Sequence, residues 1–169
     1  MADLRSARVP PLDSDDHVRG PADAPLVIVY SDFECPYCAL ADERLAAARL
    51  RITYRHFPVE ARHPRAIPCA RSSEAAGAQG RFWEMHDALF ADAGRLEDPH
   101  LWARARALGL DVERFDGDRR SPWASERVQR DFRSGVRAGV VTTPTLFAAG
   151  AMHPGIPSHE LIAALSGSG

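Results

Sequence analysis

Leu26-Val27-Ile28-Val29-Tyr30-Ser31-Asp32-Phe33-Glu34-Cys35-Pro36-Tyr37-Cys38 opens as a strand and closes as the start of a helix. Leu26–Ser31 is a short, continuous apolar run, the pattern of a strand buried on both faces. Residues 39–49 (ALADERLAAAR) are strong helix formers. Pro36 falls in the first turn of that helix, where a missing N–H costs nothing. Arg51–Phe57 (RITYRHF) alternates well enough for a second strand, and Pro58 ends it. The order strand, Cys-x-x-Cys, helix, strand makes a βαβ unit.

The chemistry open to a Cys-x-x-Cys pair is thiol–disulfide exchange. The attacking sulfur must be a thiolate, and a helix N-terminus offers it partial positive charge and free N–H groups. Cys35, at the strand-to-helix junction, is therefore expected to be the exposed thiol of lowered pKa. Cys38, one turn further in, is the shielded thiol that would resolve a mixed disulfide on Cys35. Pro36 fixes the turn, and Tyr37 limits polar contacts to the sulfur. The charges of Asp32 and Glu34 would oppose a very low thiolate pKa.

Outward from this unit, the chain turns helical from about residue 64 to 138. Ala66–Gln79 is Ala-rich and stops at Gly80. Phe82, Met85, His86 and Leu89 recur at helical spacing. Asp98-Pro99 reads as an N-cap followed by a first-turn Pro for a helix to Leu108. Ser121-Pro122 repeats the signal for a helix with the stripe Val128, Phe132 and Val136. Thr145–Ala148 reads as a third strand, with a short fourth at Ala151–His153 and a closing helix from Pro157-Ser158 through Leu165. The expected organisation is a flexible arm over 1–19, one domain over 20–166 with its helical block at about 64–138, and a tail over 167–169.

Composition removes several function classes. The chain has 169 residues and a formal net charge of −2, which offers no field for nucleic acid. Its 21 basic residues are all Arg; with no Lys and no Asn, a P-loop Lys, a lysine Schiff base and an N-glycosylation sequon are ruled out. No apolar run approaches the roughly 18 residues of a membrane span. The first twenty residues lack the apolar core of a secretory signal. A cytoplasmic location is therefore expected, and a periplasmic one only if a signal was removed. Three cysteines are too few for a disulfide-stapled mini-domain.

Thr143-Pro144-Thr145 stands just before the third strand. A Pro there simply lacks an N–H that a ladder would need. Alternatively, a cis-Pro beside a reactive thiol leaves the backbone of Thr143 free to pair with an extended substrate. The CPYC after the first strand favours the second reading.

With these pieces in place, the chain resembles the DsbA-like branch of the thioredoxin-fold disulfide oxidoreductases. It is similar in particular to bacterial thioredoxin-like domains found alone or fused behind Na⁺/H⁺ antiporters. The matching text is DHVRG at 16–20, SDFECPYC at 31–38, RHFP at 55–58, FWEMHD at 82–87 and TPTLF at 143–147. The resemblance implies an α/β, thioredoxin-like fold with a helical insertion between the second strand and the cis-Pro strand. It implies Cys35 as nucleophile, Cys38 as resolving thiol, and Thr143 and Pro144 as the substrate-binding cis-Pro loop. It further implies protein thiol or disulfide substrates, a thioredoxin-type or glutathione redox partner, and no cofactor. Two departures stand out. Relatives often carry a Glu six residues before the first cysteine, buried under the active site as a proton-transfer group, and here that position is Val29. The first helix also runs through Arg49-Leu50-Arg51 into the strand without a Gly-Asp turn.

Other readings weigh less. Cys69 in its Ala-rich helix is an inert buried thiol, since a third redox cysteine must come within about 7 Å of the pair, Cα to Cα. A zinc site made from the three cysteines and His56 or His63 lacks a second cysteine pair, so no metal is expected. His86 belongs to an apolar stripe. Arg127, Arg130, Arg133 and Arg137 share one helix face and read as solvated. Trp83, Trp102 and Trp123 read as core and rim aromatics. The rival functions are a glutathione-dependent, glutaredoxin-like reductase, disfavoured by the long span between Phe57 and Thr145, and a non-catalytic redox-sensing or regulatory module.

Overall fold

The computed structural model describes residues 11–167; the outer part of the expected arm (1–10) and residues 168–169 of the tail lie outside the described residues. In chain order the elements are β1 (His17–Arg19), β2 (Leu26–Ser31), α1 (Pro36–Ala46), β3 (Arg51–His56), α2 (Ala66–Gly77), α3 (Phe82–Ala91), α4 (Asp98–Ala107), α5 (Val112–Arg119), α6 (Pro122–Arg137), β4 (Thr145–Ala148), β5 (Ala151–Pro154) and α7 (His159–Ser166). They form one mixed sheet of order β1-β3-β2-β4-β5. β2 and β3 run parallel, and the other neighbours are antiparallel.

β2 is continuously apolar because both of its faces are covered. Val27 and Val29 join Leu45 of α1, Ile52, Leu146 and Ile162 of α7. Ile28 and Tyr30 join Phe57, Ala138, Val140 and Phe147 on the other face. Each such side chain contributes roughly 1.5–3 kcal/mol when fully buried. On this second face α6 reaches the sheet through Gly135, where a Cβ would stand 2.7 Å from the Phe57 ring and 2.9 Å from that of Tyr30.

Helices α2 to α6 follow β3 and precede β4. Their shared core runs from Phe33 and Tyr54 through Cys69, Met85 and Leu89 to Leu101 and Phe115. This core begins on the residues flanking the cysteine pair, so the helical layer is built onto the site and shields one side of it.

Two sequence expectations are corrected, and one helix is not foreseen in the sequence. β1 lies inside the stretch read as an arm: His17–Arg19 pairs with Ile52–Tyr54 of β3. The His17 ring stacks on Phe82 with centroids 3.5 Å apart. α5 went unrecognised because, of its eight residues, only Phe115 and Arg119 are buried. Asp98 does not cap α4; Glu97 holds that position without a side-chain bond. The Asp98 carboxylate is instead claimed by Arg65 (2.5 Å) and Arg119 (2.9 Å). The cap read at Ser121 does form, accepting the N–H of Ala124, and Ser158, at the expected start of the closing helix, accepts that of Leu161.

Candidate active site

β2 ends at Ser31, and the three-residue link Asp32-Phe33-Glu34 delivers Cys35 to the N-cap of α1, with extended backbone (φ −81°, ψ 119°) and Pro36 in the first turn. The link is rigid because its carboxylates are engaged. Asp32 accepts the N–H groups of Glu34 (2.9 Å) and Val59 (2.9 Å) and meets His63 at 2.7 Å. Glu34 accepts the N–H of Arg65 at 2.6 Å. Phe33 between them is buried, stacked on Tyr54.

Cys35 and Cys38 approach to 3.4 Å and are both free thiols. They face different spaces. Cys35 lines an open cleft of about 510 Å³ with Pro36, Tyr37, Val59, Arg62, His63 and Val141 to Thr143. Cys38 instead lines a small internal cavity with Ser31, Asp42, Tyr54 and His86. The expectation that Cys35 is exposed is corrected: it is 3 % exposed and Cys38 1 %. The cover comes from across the sheet, where the Thr143 carbonyl accepts from the Cys35 thiol at 3.7 Å.

The two thiols are also electrostatically unlike. A hydrogen bond from the Cys38 thiol, helped by the N–H groups of Cys38 and Tyr37, outweighs burial and lowers Cys35 to about 6. Burial raises Cys38 far above the ordinary thiol value, and sharing its proton with Cys35 raises it further. The flanking carboxylates of Asp32 and Glu34 do not prevent this lowering, which the hydrogen bond from Cys38 dominates.

Thr143-Pro144 sits opposite the start of α1, and the peptide bond between the two residues is cis. Pro144 accepts the N–H of Gly155 at 2.8 Å, and the Thr145 hydroxyl donates to Thr142 at 2.7 Å, which together fix the loop. Pro36 and Tyr37 are exposed on the cleft rim, Tyr37 at 62 %. Tyr37, expected to limit polar contacts to the sulfur, instead brings its own backbone N–H to Cys35. Cys69 is buried in the helical core, and burial pushes its thiol up to about 12.

The donors weighed for zinc are spoken for separately, His63 by Asp32 and His56 by Glu74 at 2.7 Å. Arg127 is corrected from the solvated face: it pairs with Asp131 and donates to the carbonyl of Asp15. A second cluster that sequence reasoning missed lies behind Cys38. Asp42, one turn beyond Cys38 on α1, meets Arg19 of β1 at 3.1 Å and His86 of α3 at 3.5 Å. Arg19 also bonds Asp87 at 2.7 Å and lies over the Trp83 ring at 4.4 Å. Its only sequence signal is the i, i+4 spacing of Cys38 and Asp42. His86 is buried, as its apolar stripe implied.

Comparison with known proteins places this geometry. The family model described as DSBA-like thioredoxin domain matches residues 26–165. A Na(+)/H(+) antiporter NhaA of Herminiimonas arsenicoxydans is 46 % identical over 157 residues, covering 88 % of this chain and 25 % of that protein. An antiporter NhaA 1 of Mycolicibacterium vanbaalenii is 44 % identical over 155 residues, 86 % of this chain and 25 % of that one. The chain thus spans about a quarter of the length of these relatives. Among solved structures, a thioredoxin-like oxidoreductase from Silicibacter pomeroyi superposes with a TM-score of 0.82 at 23 % identity, covering 92 % of each chain. The thiol-disulfide exchange protein alpha-DsbA2 of Wolbachia pipientis gives 0.81 at 14 % identity over 92 % of this chain and 88 % of that one. These two likenesses establish a thioredoxin-like fold.

Proposed function

The chain belongs to the family of DSBA-like thioredoxin domains, and from that premise we propose that it is a thiol–disulfide oxidoreductase acting on protein thiols, with Cys35 as nucleophile and Cys38 as resolving thiol. The observation that carries this reading is the asymmetry of the pair: Cys35 lines the open cleft with its thiol lowered to about 6, and Cys38 faces inward with its thiol raised.

In the reducing direction the Cys35 thiolate attacks one sulfur of a substrate disulfide. A Cys35–substrate disulfide forms and the other substrate sulfur leaves with the electron pair. Cys38 then loses its proton and attacks the Cys35 sulfur, closing the Cys35–Cys38 disulfide and releasing the first substrate sulfur as a thiolate. Oxidation of a substrate dithiol is the same sequence in reverse. An extended substrate segment fits the cleft with its backbone beside Thr143, where Pro144 keeps the loop turned toward the sulfur. Protein thiols suit the cleft better than a small thiol alone, because its rim carries the apolar Tyr37 and Val141, which is 88 % exposed.

Trapping tests this reading. Cys38→Ser protein should accumulate mixed disulfides with disulfide-bonded or scrambled client proteins, and Cys35→Ser should accumulate almost none. Equal trapping by both, or none by either, overturns the assignment and favours a sensing or regulatory module. Turnover supported by glutathione alone would move the reading to a glutaredoxin-like reductase. The antiporters named among the relatives extend well beyond this chain, and no helix among the described residues is long and apolar enough to cross a membrane.

A further inference from the structure

Closing the Cys35–Cys38 disulfide requires the buried Cys38 thiol to give up a proton, and opening it requires a proton to return. Burial makes an isolated Cys38 thiolate unfavourable, so a proton acceptor must lie within reach. β2 offers none, because its residue beneath the pair is Val29, one wall of the cavity that Cys38 faces.

The other walls are Ser31, Asp42, Leu45, Ile52, Tyr54, His86 and Phe90. The centre of a water-sized sphere can occupy about 10 Å³ there, close to the minimum for a single water. Ser31 neighbours both the Cys38 thiol and the Tyr54 hydroxyl. The Tyr54 hydroxyl is buried without a hydrogen bond of good geometry. Asp42 lines this cavity and also an open surface cleft of about 440 Å³ shared with Arg19, Glu43, Asp87 and Phe90. Its carboxyl therefore stands between the resolving thiol and solvent.

We propose that Asp42, held by Arg19 and His86, takes the Cys38 proton through this cavity when the disulfide closes and returns it when the disulfide opens. The inference rests on the oxidoreductase reading above. In the closing step the S–H bond of Cys38 breaks and its proton passes to a carboxylate oxygen of Asp42 by way of a water in the cavity. The sulfur's electron pair forms the bond to Cys35, and the substrate sulfur leaves with the pair of the bond it loses. Solvent on the outer side of Asp42 then removes the proton, and no further reactant is required.

The surroundings suit the task. The charged and titratable groups facing Asp42 are Arg19 from β1, Cys38 and Glu43 from α1, Tyr54 from β3, and His86 and Asp87 from α3. Burial raises the Asp42 carboxyl above its ordinary value, against the pull of His86 and Arg19. Burial lowers His86 and so favours its neutral ring. A carboxyl that protonates more readily than usual is the better partner for a thiol. The donors of Asp42, His86 and Asp87 also lie close enough together to suggest a cation site, but the Arg19 guanidinium already bonds both carboxylates.

The test uses an aromatic disulfide whose released thiolate absorbs visible light. Reduced protein releases one equivalent when Cys35 attacks and a second when Cys38 closes the disulfide, so the two steps are read apart by stopped flow. Asp42→Asn should leave the first release within about twofold and slow the second by about 100-fold or more, the range for lost acid–base assistance. It should also remove an inflection in the pH profile of the second release that lies above the ordinary carboxylate range. Asp42→Glu should restore most of the rate, as should Val29→Glu in the Asp42→Asn background, because that side chain enters the same cavity. A second release in Asp42→Asn with unchanged rate and pH profile overturns the proposal. Should that variant not fold, a wild-type second release that follows only the titration of a thiol overturns it equally. Absence of the first release in wild-type protein overturns the oxidoreductase reading and the relay with it.

Discussion

His63 Nδ1 stands 2.7 Å from Asp32 Oδ2, an oxygen that also accepts the Val59 N–H at 2.9 Å. This one carboxylate ties the link before Cys35 to the far wall of its cleft. Asp32 is 2 % exposed, so its removal leaves the part-buried N–H groups of Glu34 and Val59 unmatched. Asp32→Ala should cost about 1–3 kcal/mol in urea unfolding and slow the reaction of Cys35 with bulky disulfides. A change below about 0.5 kcal/mol, the ordinary range for a surface position, would mean that water replaces the carboxylate freely.

The pH dependence of Cys35 follows from its lowered pKa. Only the thiolate alkylates, so the labelling rate of reduced protein should reach half its maximum near about 6. Cys38 and Cys69 should stay unlabelled under those conditions, since burial raises both thiols. The same displacement links pH to stability. With its folded value below the ordinary 9.0, the Cys35 thiol stabilises the reduced fold increasingly as pH rises from about 6 toward 9. That contribution disappears as pH falls through about 6. The oxidised protein has no such thiol, so the gap between the two unfolding midpoints should shift with pH in that window. A gap that is flat across it would refute the lowered thiol.

Glu74 is 5 % exposed and joins β1, β3 and α2 by meeting His17 at 2.9 Å and His56 at 2.7 Å. Burial alone would raise its carboxyl, but the hydrogen bonds from the two histidines win and hold it below 4.5. Its contribution is therefore present above about pH 4.5 and lost progressively as pH falls beneath it. Glu74→Gln should destabilise by about 3–5 kcal/mol near neutral pH, the usual cost of breaking a buried pair. It should also flatten the acid limb of the stability profile. Equal acid sensitivity in wild type and variant would assign that limb to other carboxylates.

Gly135→Ala separates helix propensity from packing. In an unobstructed helix the change should stabilise by about 1 kcal/mol. Here the new methyl meets the rings of Phe57 and Tyr30 below 3.0 Å, so α6 must lift from the sheet. A net loss of about 1–3 kcal/mol is expected, measured by denaturant unfolding, and a gain in stability would rule out the close approach.

The parts of this fold legible in the sequence are those where one stretch of chain states its own surroundings. β2 is apolar at every turn because both faces are covered, and α1 follows Pro36 as a run of helix formers. The cysteine pair is legible for the same reason: two thiols one turn apart at a strand-to-helix junction need no distant partner to be recognised. Relationships that join remote segments are not written locally. The cover over Cys35 comes from Thr143, 108 positions away. β1 is three residues long and only half buried, too short for a periodic signal, and its placement depends on β3. Asp42 reads as one more acid on a solvated helix until α3 and β1 close over it. Arg127 reads as a surface charge until Asp131 and Asp15 are brought beside it.

The guanidinium of Arg19 reaches from the border strand of the sheet to the carboxyl behind the Cys38 thiol. Tension that peels β1 away from β3 would withdraw the cation from Asp42 and Asp87 and lift it off the Trp83 ring together. The acidity of the carboxyl behind Cys38 is thereby yoked to the seating of the chain's entry into the sheet. On the proposed relay, whatever pulls on, or docks against, that margin would acquire a mechanical hold on how readily the buried sulfur gives up its proton.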